Sequence, residues 1–357
     1  MDHVTRRERL VGRLEDLGVD AVLVSRLPNV RYLTGFTGSA GQVLLGPTGG
    51  VFVTDGRYAE QSRQEVPDLD RVASMEPATS AIADHGRRLG VRRLGFERHA
   101  VTVAQLDALR EALEGIELIG IDQEVERLRW TKDATELRLL RAAQEATDAA
   151  FSDILDVLAV GITERQAAAQ LERSMLLHGA DGLAFPSIVA FGELAAEPHH
   201  RPTHRALAEG DVIKMDFGAL VDGYHTDMTR TVAFGEPAPE LRKAHDLVAE
   251  AQQAGIDAIR PGAVGAAVDA AARAVIADAG YGDRFGHGLG HGVGLEIHEG
   301  PSLSTRSDDE LPEGTVITVE PGVYLPGIGG VRIEDTVEVT ADGGRPLGSS
   351  SRELLEL

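Results

Sequence analysis

The chain has 357 residues, a formal net charge of −22 and no cysteine, with 43% hydrophobic and 26% charged residues. That length allows two domains with substantial cores. The acidic balance excludes a nucleic-acid or anionic-membrane partner, and the missing cysteines exclude disulfides, thiolate ligands and a cysteine nucleophile.

Residues 1–17 carry Arg6, Arg7, Glu8 and Arg9 without an apolar signal core, and no run is long enough to span a bilayer, which predicts a cytoplasmic protein. Residues 5–17 read as an amphipathic helix, 20–25, 42–45 and 51–54 as strands, and 57–65 as a charged helix. A short strand at 93–96 and a helix at 102–113 follow, which together predict a compact α/β domain. Over 115–132 the periodicity is lost. Asp133-Ala134-Thr135-Glu136 then opens a long helix as a capping box does, placing the boundary near residue 128 and dividing the chain into 1–128 and 129–357. Thr163-Glu164-Arg165-Gln166 opens a second helix running to His178. Two more helices, 239–259 and 264–279, are separated by the breaker Pro261-Gly262. The second domain is predicted as α+β, with long helices covering one face of a curved sheet.

The chemistry concentrates in the C-terminal third, where Asp216, Asp227, His291, Glu320 and Glu334 sit inside apolar strand-like or glycine-rich segments. Four carboxylates and one imidazole make a hard, oxygen-rich donor set suited to a pair of divalent ions, the pattern of a dinuclear metallohydrolase. Two of the segments echo each other. Val212-Ile213-Lys214-Met215-Asp216-Phe217-Gly218 aligns with Val316-Ile317-Thr318-Val319-Glu320-Pro321-Gly322 at a shift of 104 residues, and Thr231-Val232 aligns with Thr336-Val337 at 105. Each copy reads as a β-hairpin with one carboxylate per arm. Carboxylates buried in apolar strands need compensating cations. Lysine supplies few of them, since only Lys132, Lys214 and Lys243 occur.

Half of the histidines cluster as His199, His200, His204 and as His287, His291, His298, the second group interleaved with glycines that predict close backbone approach to a substrate or metal. Competing motifs are absent. The run 286–294 offers no register of G-x-G-x-x-G and no P-loop lysine, His298-Glu299 is not followed by a second histidine of H-E-x-x-H, and no G-x-S-x-G elbow occurs.

These stretches resemble the pita-bread metallopeptidases, and within them the Xaa-Pro peptidases, aminopeptidase P and prolidase. The matching residues are Met215-Asp216-Phe217-Gly218, Thr226-Asp227-Met228-Thr229-Arg230-Thr231, the run 286–299, Val319-Glu320-Pro321-Gly322-Val323-Tyr324 and Gly330-Val331-Arg332-Ile333-Glu334-Asp335, with Pro198-His199-His200-Arg201-Pro202 similar to the family's histidine loop. Asn29-Val30-Arg31-Tyr32-Leu33-Thr34-Gly35-Phe36 and Thr54-Asp55-Gly56-Arg57-Tyr58 resemble the creatinase-type N-terminal domain. The resemblance implies a pseudo-twofold antiparallel sheet covered by helices and a peptidase acting on small proline-containing peptides or dipeptides. It implies that Asp216 chelates one metal, Asp227 and Glu334 bridge two, and His291 and Glu320 hold the second. Glu320 would take and pass the proton and His298 would stabilise the oxyanion. His199 and His287 would shape the proline pocket, and Tyr324 joins His287 and Arg332 on the substrate side. Arg332 would hold a carboxylate, either a ligand's or the substrate's, with Arg306 a weaker candidate.

The chain departs from the family where Gly192-Glu193-Leu194-Ala195-Ala196-Glu197-Pro198-His199 replaces the usual amide by Leu194 and adds Glu197, which is expected to attract a substrate's α-amino group. The donor set favours Mn²⁺, with Co²⁺, Fe²⁺ or Zn²⁺ also suited, and the resemblance implies a homodimer. An aminopeptidase of different specificity, such as a methionine aminopeptidase, a creatinase-like enzyme that does not use the metals, and a non-catalytic binding protein on the same scaffold are the competing readings.

Overall fold

The computed structural model describes residues 1–357, which fall into two compact units, Met1–Arg129 and Trp130–Leu357. No helix is long and apolar enough to cross a membrane.

The first unit is built on a six-stranded sheet. In chain order it comprises α1 (His3–Val11), β1 (Ala21–Val24), α2 (Leu27–Thr34), β2 (Gly41–Gly46), β3 (Gly49–Thr54), α3 (Ala59–Glu65), β4 (Asp70–Ala73), α4 (Ala78–Arg88), β5 (Arg93–Glu97), α5 (Val103–Ala112) and β6 (Glu117–Ile121). The strand order is β4-β3-β2-β1-β5-β6, antiparallel only where β2 meets β1 and β3. The α/β expectation holds, with two corrections. The first helix stops at Gly12 and not at Leu17. The stretch 115–132 is also ordered: it contains β6 and then α6 (Glu124–Trp130), whose short apolar pattern is interrupted by Glu124, Glu126 and Arg129, all buried. Asn29 explains two of them, since it donates to Glu126 and Glu97 and accepts from Arg129, while Glu124 pairs with Arg127 and Arg13. The Asn29–Phe36 motif forms α2, and Gly35 ends it at φ 81°, a conformation glycine adopts without steric cost.

The second unit opens with α7 (Ala134–Leu155) and α8 (Glu164–Leu177), each started by the expected capping box, Asp133 with Glu136 and Thr163 with Gln166. Then come β7 (Gly182–Leu183), β8 (Ile188–Phe191), β9 (Val212–Phe217), β10 (Ala219–Val221), β11 (Tyr224–His225), β12 (Met228–Ala233), α9 (Pro239–Ala258) and α10 (Gly265–Asp278). The chain ends with β13 (Gly290–Gly292), β14 (Glu299–Leu303), β15 (Val316–Val319), β16 (Gly322–Leu325), β17 (Gly329–Arg332), β18 (Asp335–Thr340) and β19 (Gly343–Pro346). The two echoing segments are the pairs β9–β12 and β15–β18, with Thr229 opposite Asp216 and Asp335 opposite Val319. They are not simple hairpins, as expected from sequence. Each pair is interrupted by an inserted two-stranded excursion, β10–β11 in one and β16–β17 in the other.

The two halves join along β12 and the chain entering β18. Thr231 Oγ1 donates to the Arg332 carbonyl (3.0 Å), Glu334 N to the Thr229 carbonyl (3.1 Å) and Thr336 Oγ1 to the Asp227 carbonyl (2.9 Å). Helices α7 and α8 bury Phe151, Ile154, Leu171 and Met175 against Ile213, Met215 and Val232, whereas α9 and α10 bury Leu241, Val248, Val268 and Ile276 in a second core with Ile317, Val319 and Val337. Each such side chain contributes about 1.5–3 kcal/mol on burial. The helices therefore fix both halves of the sheet, and the carboxylate-bearing ends of its strands meet at the centre.

Candidate metal centre

Strand geometry brings the four carboxylates together. Asp216 lies one residue from the end of β9, Asp227 just before β12, Glu320 just after β15 and Glu334 just before β18. All four, with His291 from β13, line a cavity of about 730 Å³ also bounded by Phe185, Ile188, His199, His287, Ile297 and His298. Donor atoms of Asp227, His291 and Glu334 lie within 4.8 Å of one another. His291 Nε2 stands 3.7 Å from Asp227 Oδ2 and 3.6 Å from Glu320 Oε1.

The electrostatics of this cluster call for cations. Asp216 Oδ1, Asp227 Oδ1 and Glu334 Oε1 are buried without a hydrogen-bond partner, an arrangement that is costly unless a positive charge faces them. Burial, with repulsion from the neighbouring carboxylates, pushes Asp227 and Glu334 well above the ordinary carboxylate range, and burial pushes Glu320 up to about 7. Burial lowers His291 to about 4, so its ring is neutral. Nδ1–H donates to the Gly292 carbonyl at 3.0 Å, which leaves the Nε2 lone pair aimed at carboxylate oxygens. A lone pair facing anions is repulsive until a cation stands between them. Hard oxygens plus one neutral imidazole fit divalent metal ions.

Arg332 organises the set. Its Nη2 donates to Asp216 Oδ2, Nε to Thr229 Oγ1 (2.9 Å), and Nη1 to the Tyr324 hydroxyl (3.1 Å) and the Pro198 carbonyl (3.2 Å). Thr229 in turn donates to Glu334 Oε2 at 2.6 Å. The carboxylate that Arg332 grips is thus Asp216. His287 Nδ1–H donates to the Gly288 carbonyl at 2.8 Å, so Nε2 accepts from the Tyr324 hydroxyl at 2.9 Å. His287 faces the cavity with both nitrogens engaged, and Tyr324 stands behind it, outside the lining. His199 and His298 line the cavity with no protein hydrogen bond, and the His298 ring lies 4.4 Å from that of His291.

Three expectations change. Glu197 does not line the cavity; its carboxylate accepts from His200 Nδ1 at 2.8 Å, and Leu194 packs on the core. Arg306 is exposed and also outside the lining. The glycines of 286–294 mainly serve backbone crowding within the sheet. A Cβ on Gly290 would meet the Thr318 carbonyl at 2.0 Å, and one on Gly292 the Gly300 carbonyl at 2.1 Å, although Gly288 and Gly290 also border the cavity.

Sequence reading missed two supports of the histidine loop. Glu164, read only as part of a helix start, is fully buried. It accepts from Phe191 N (2.9 Å), Thr203 N (2.8 Å), Thr203 Oγ1 (2.6 Å) and His200 Nε2 (2.9 Å). Lys214 is buried on β9 and donates to the carbonyls of Ala195, Glu197 and Pro198. Burial, reinforced by Arg332, lowers it to about 6. A lysine near Asp216 in the mainly apolar run of β9 was the available signal; for Glu164 there was none.

Residues 138–341 match metallopeptidase family M24, and residues 6–131 match the creatinase/prolidase N-terminal domain. The Bacillus subtilis peptidase YqhT is 40% identical over 350 residues, covering 98% of this chain and 99% of that protein. Among solved structures, the Xaa-Pro dipeptidase from Bacillus anthracis superposes with a TM-score of 0.97 at 39% identity over 100% of both chains. The X-Pro aminopeptidase from Thermotoga maritima MSB8 superposes with a TM-score of 0.91 at 36% identity over 99% of this chain and 100% of that one. The second unit therefore has the pita-bread fold. With more than half of its length matching one family and relatives aligned over its whole span, the chain belongs to metallopeptidase family M24.

Proposed function

We propose that the protein hydrolyses the peptide bond preceding proline at the N-terminus of dipeptides or short peptides, using two divalent ions held by Asp216, Asp227, His291, Glu320 and Glu334. The observation that carries this reading is the convergence of those five donors in one buried cavity with three unpartnered carboxylate oxygens. The names of the B. anthracis and T. maritima relatives support the Xaa-Pro bond as the substrate. When bound, the ions supply Lewis acidity toward the scissile carbonyl and the attacking water.

The chain's own groups do the rest. Glu320, which lines the cavity beside His291, takes the proton released on attack and delivers it to the proline nitrogen as the C–N bond breaks. His298 donates a hydrogen bond to the carbonyl oxygen as it gains charge. His199 and the backed-up ring of His287 hold the pyrrolidine side, and Phe185, Ile188 and Ile297 bury apolar substrate surface and exclude water. Arg332 and Tyr324 position Asp216 and His287, and Arg332 also borders the cavity that the substrate would enter. Manganese as the native ion is supported by the oxygen-rich donors, and a homodimer by the family resemblance.

The test is hydrolysis of Ala-Pro and Ala-Pro-Ala by metal-stripped protein reconstituted with Mn²⁺, beside an EDTA control. Cleavage of the dipeptide alone identifies a dipeptidase, and efficient cleavage of the tripeptide an aminopeptidase. Activity that resists EDTA, or none on either peptide, overturns the reading.

A further inference from the structure

The Glu334 side chain has one hydrogen bond, and its backbone amide donates to the Thr229 carbonyl at 3.1 Å. Its Oε2 accepts from Thr229, its Oε1 has no partner, and Asp216, Asp227 and Glu320 repel it. Its backbone is restrained by Arg230, whose Nη1 donates to the carbonyls of Glu334 (2.6 Å) and Thr229 (2.9 Å). The same guanidinium reaches Asp335 Oδ1 (2.7 Å) and the carbonyls of Ser350 (2.9 Å) and Ser351 (2.8 Å). Asp335 follows Glu334 in sequence and, by strand alternation, points away from the cavity. Its buried carboxylate also accepts from Gln252 Nε2 and from Arg352 Nε, each at 2.6 Å. The segment supplying Ser350, Ser351 and Arg352 is pinned in turn to α7, where Asp148 accepts from Ser349 N (2.8 Å) and Ser350 Oγ (2.6 Å). It then pairs with β12 through Ala233 and Leu355.

We propose that the C-terminal segment 349–352 is a strap that positions Glu334 for metal binding through Arg230 and Asp335, making Arg352 a determinant of metal affinity that never touches a metal. The inference rests on Glu334 being a metal ligand, as proposed above. Arg230 satisfies the Glu334 carbonyl, and its own orientation depends on the strap carbonyls and on Asp335. Loss of such outer contacts lowers metal affinity about 10–100-fold. Arg352 lies one link farther out, so the lower end of that range is expected. Its side chain is partly exposed and borders a second cavity of about 650 Å³ with His245, Gln252 and Gln253, so it is replaceable without opening the core.

The experiment is calorimetric titration of the metal-stripped full-length protein with Mn²⁺, alongside its melting temperature without metal. Arg352→Met is expected to bind Mn²⁺ about tenfold more weakly, and Arg352→Lys, which keeps the charge and one donor, to fall between it and the parent. Arg242→Met serves as the control. It removes a different C-terminal ion pair, Arg242 to Glu356 at 2.8 Å on the surface, and is expected to bind like the parent. Unchanged affinity in Arg352→Met overturns the inference, and so does an equal loss in Arg242→Met, which would indicate general loosening of the terminus. Should Arg352→Met not fold, Arg352→Lys decides, with parental affinity counting against the strap. Failure of the parent to bind Mn²⁺ at all overturns the metal-centre reading itself.

Discussion

Replacing Glu164 by Gln tests whether one buried carboxylate outside the metal cluster holds the histidine loop in place. The carboxylate accepts four hydrogen bonds, one on Oε1 from Phe191 N and three on Oε2 from Thr203 N, Thr203 Oγ1 and His200 Nε2. Glutamine keeps the shape but offers one oxygen. Set on the Oε2 side, its amide nitrogen meets the Phe191 N–H; set on the other, it meets Thr203 and His200. The better orientation strands one buried donor, at about 1–3 kcal/mol, the other strands more, and both lose charge assistance on the remaining bonds, for a total of about 3–5 kcal/mol. In a unit of this size that corresponds to a drop of about 10 °C in melting temperature, measured by calorimetry on the metal-loaded protein. Because the loop carries His199 while the carboxylates sit elsewhere, KM should rise with bound metal unchanged. The effect has a pH signature. Burial alone would raise Glu164, but its donors outweigh burial and hold it below the ordinary glutamate value. A depressed pKa gives stability that is present above the unfolded value of about 4.5 and lost as pH falls through the folded one, so the gap between parent and variant should narrow in acid. A melting temperature within about 2 °C of the parent at neutral pH, with parental KM, would refute the reasoning.

Metal binding should be strongly pH-dependent. Burial and mutual repulsion raise Asp227 and Glu334, and burial raises Glu320 to about 7, so cations must displace protons that the stripped site retains. Mn²⁺ affinity is expected to climb from pH 6 to 8, by about tenfold per unit for each proton displaced, with proton release seen by calorimetry in buffers of different ionisation enthalpy; a flat profile contradicts it. Lys132→Met should cost about 3–5 kcal/mol, because Glu299, 2.8 Å from Nζ and equally buried, loses its counter-charge; urea unfolding at parental stability would argue against this. Arg332→Lys keeps one charge but loses the fork joining Asp216, Thr229 and Tyr324. Metal affinity should fall about 10–100-fold, and parental affinity would show that the fork is dispensable.

The clustered ligands and the echo between β9–β12 and β15–β18 were legible because each carboxylate interrupts an apolar strand pattern, and such interruptions are costly unless functional. Helix starts at Asp133 and Thr163 were legible because capping is local. What stayed hidden depends on non-local partners. The excursions β10–β11 and β16–β17 are built from strands too short to show a strand period. Glu164 reads as a first-turn acid until Thr203 and His200 fold onto it, and Asp335 reads as a second acid beside Glu334 until Arg230, Gln252 and Arg352 converge on it. Glu197 misled for the same reason: its charge was visible, and its partner His200 was not.

The most direct test of the central claim is a titration of metal-stripped protein with Mn²⁺ while Ala-Pro hydrolysis is followed beside Ala-Ala. The account predicts no activity before metal is added, activity that rises until two ions are bound per chain, and a clear preference for the proline dipeptide. Activity without metal, saturation at a single ion, or equal cleavage of both dipeptides would contradict it.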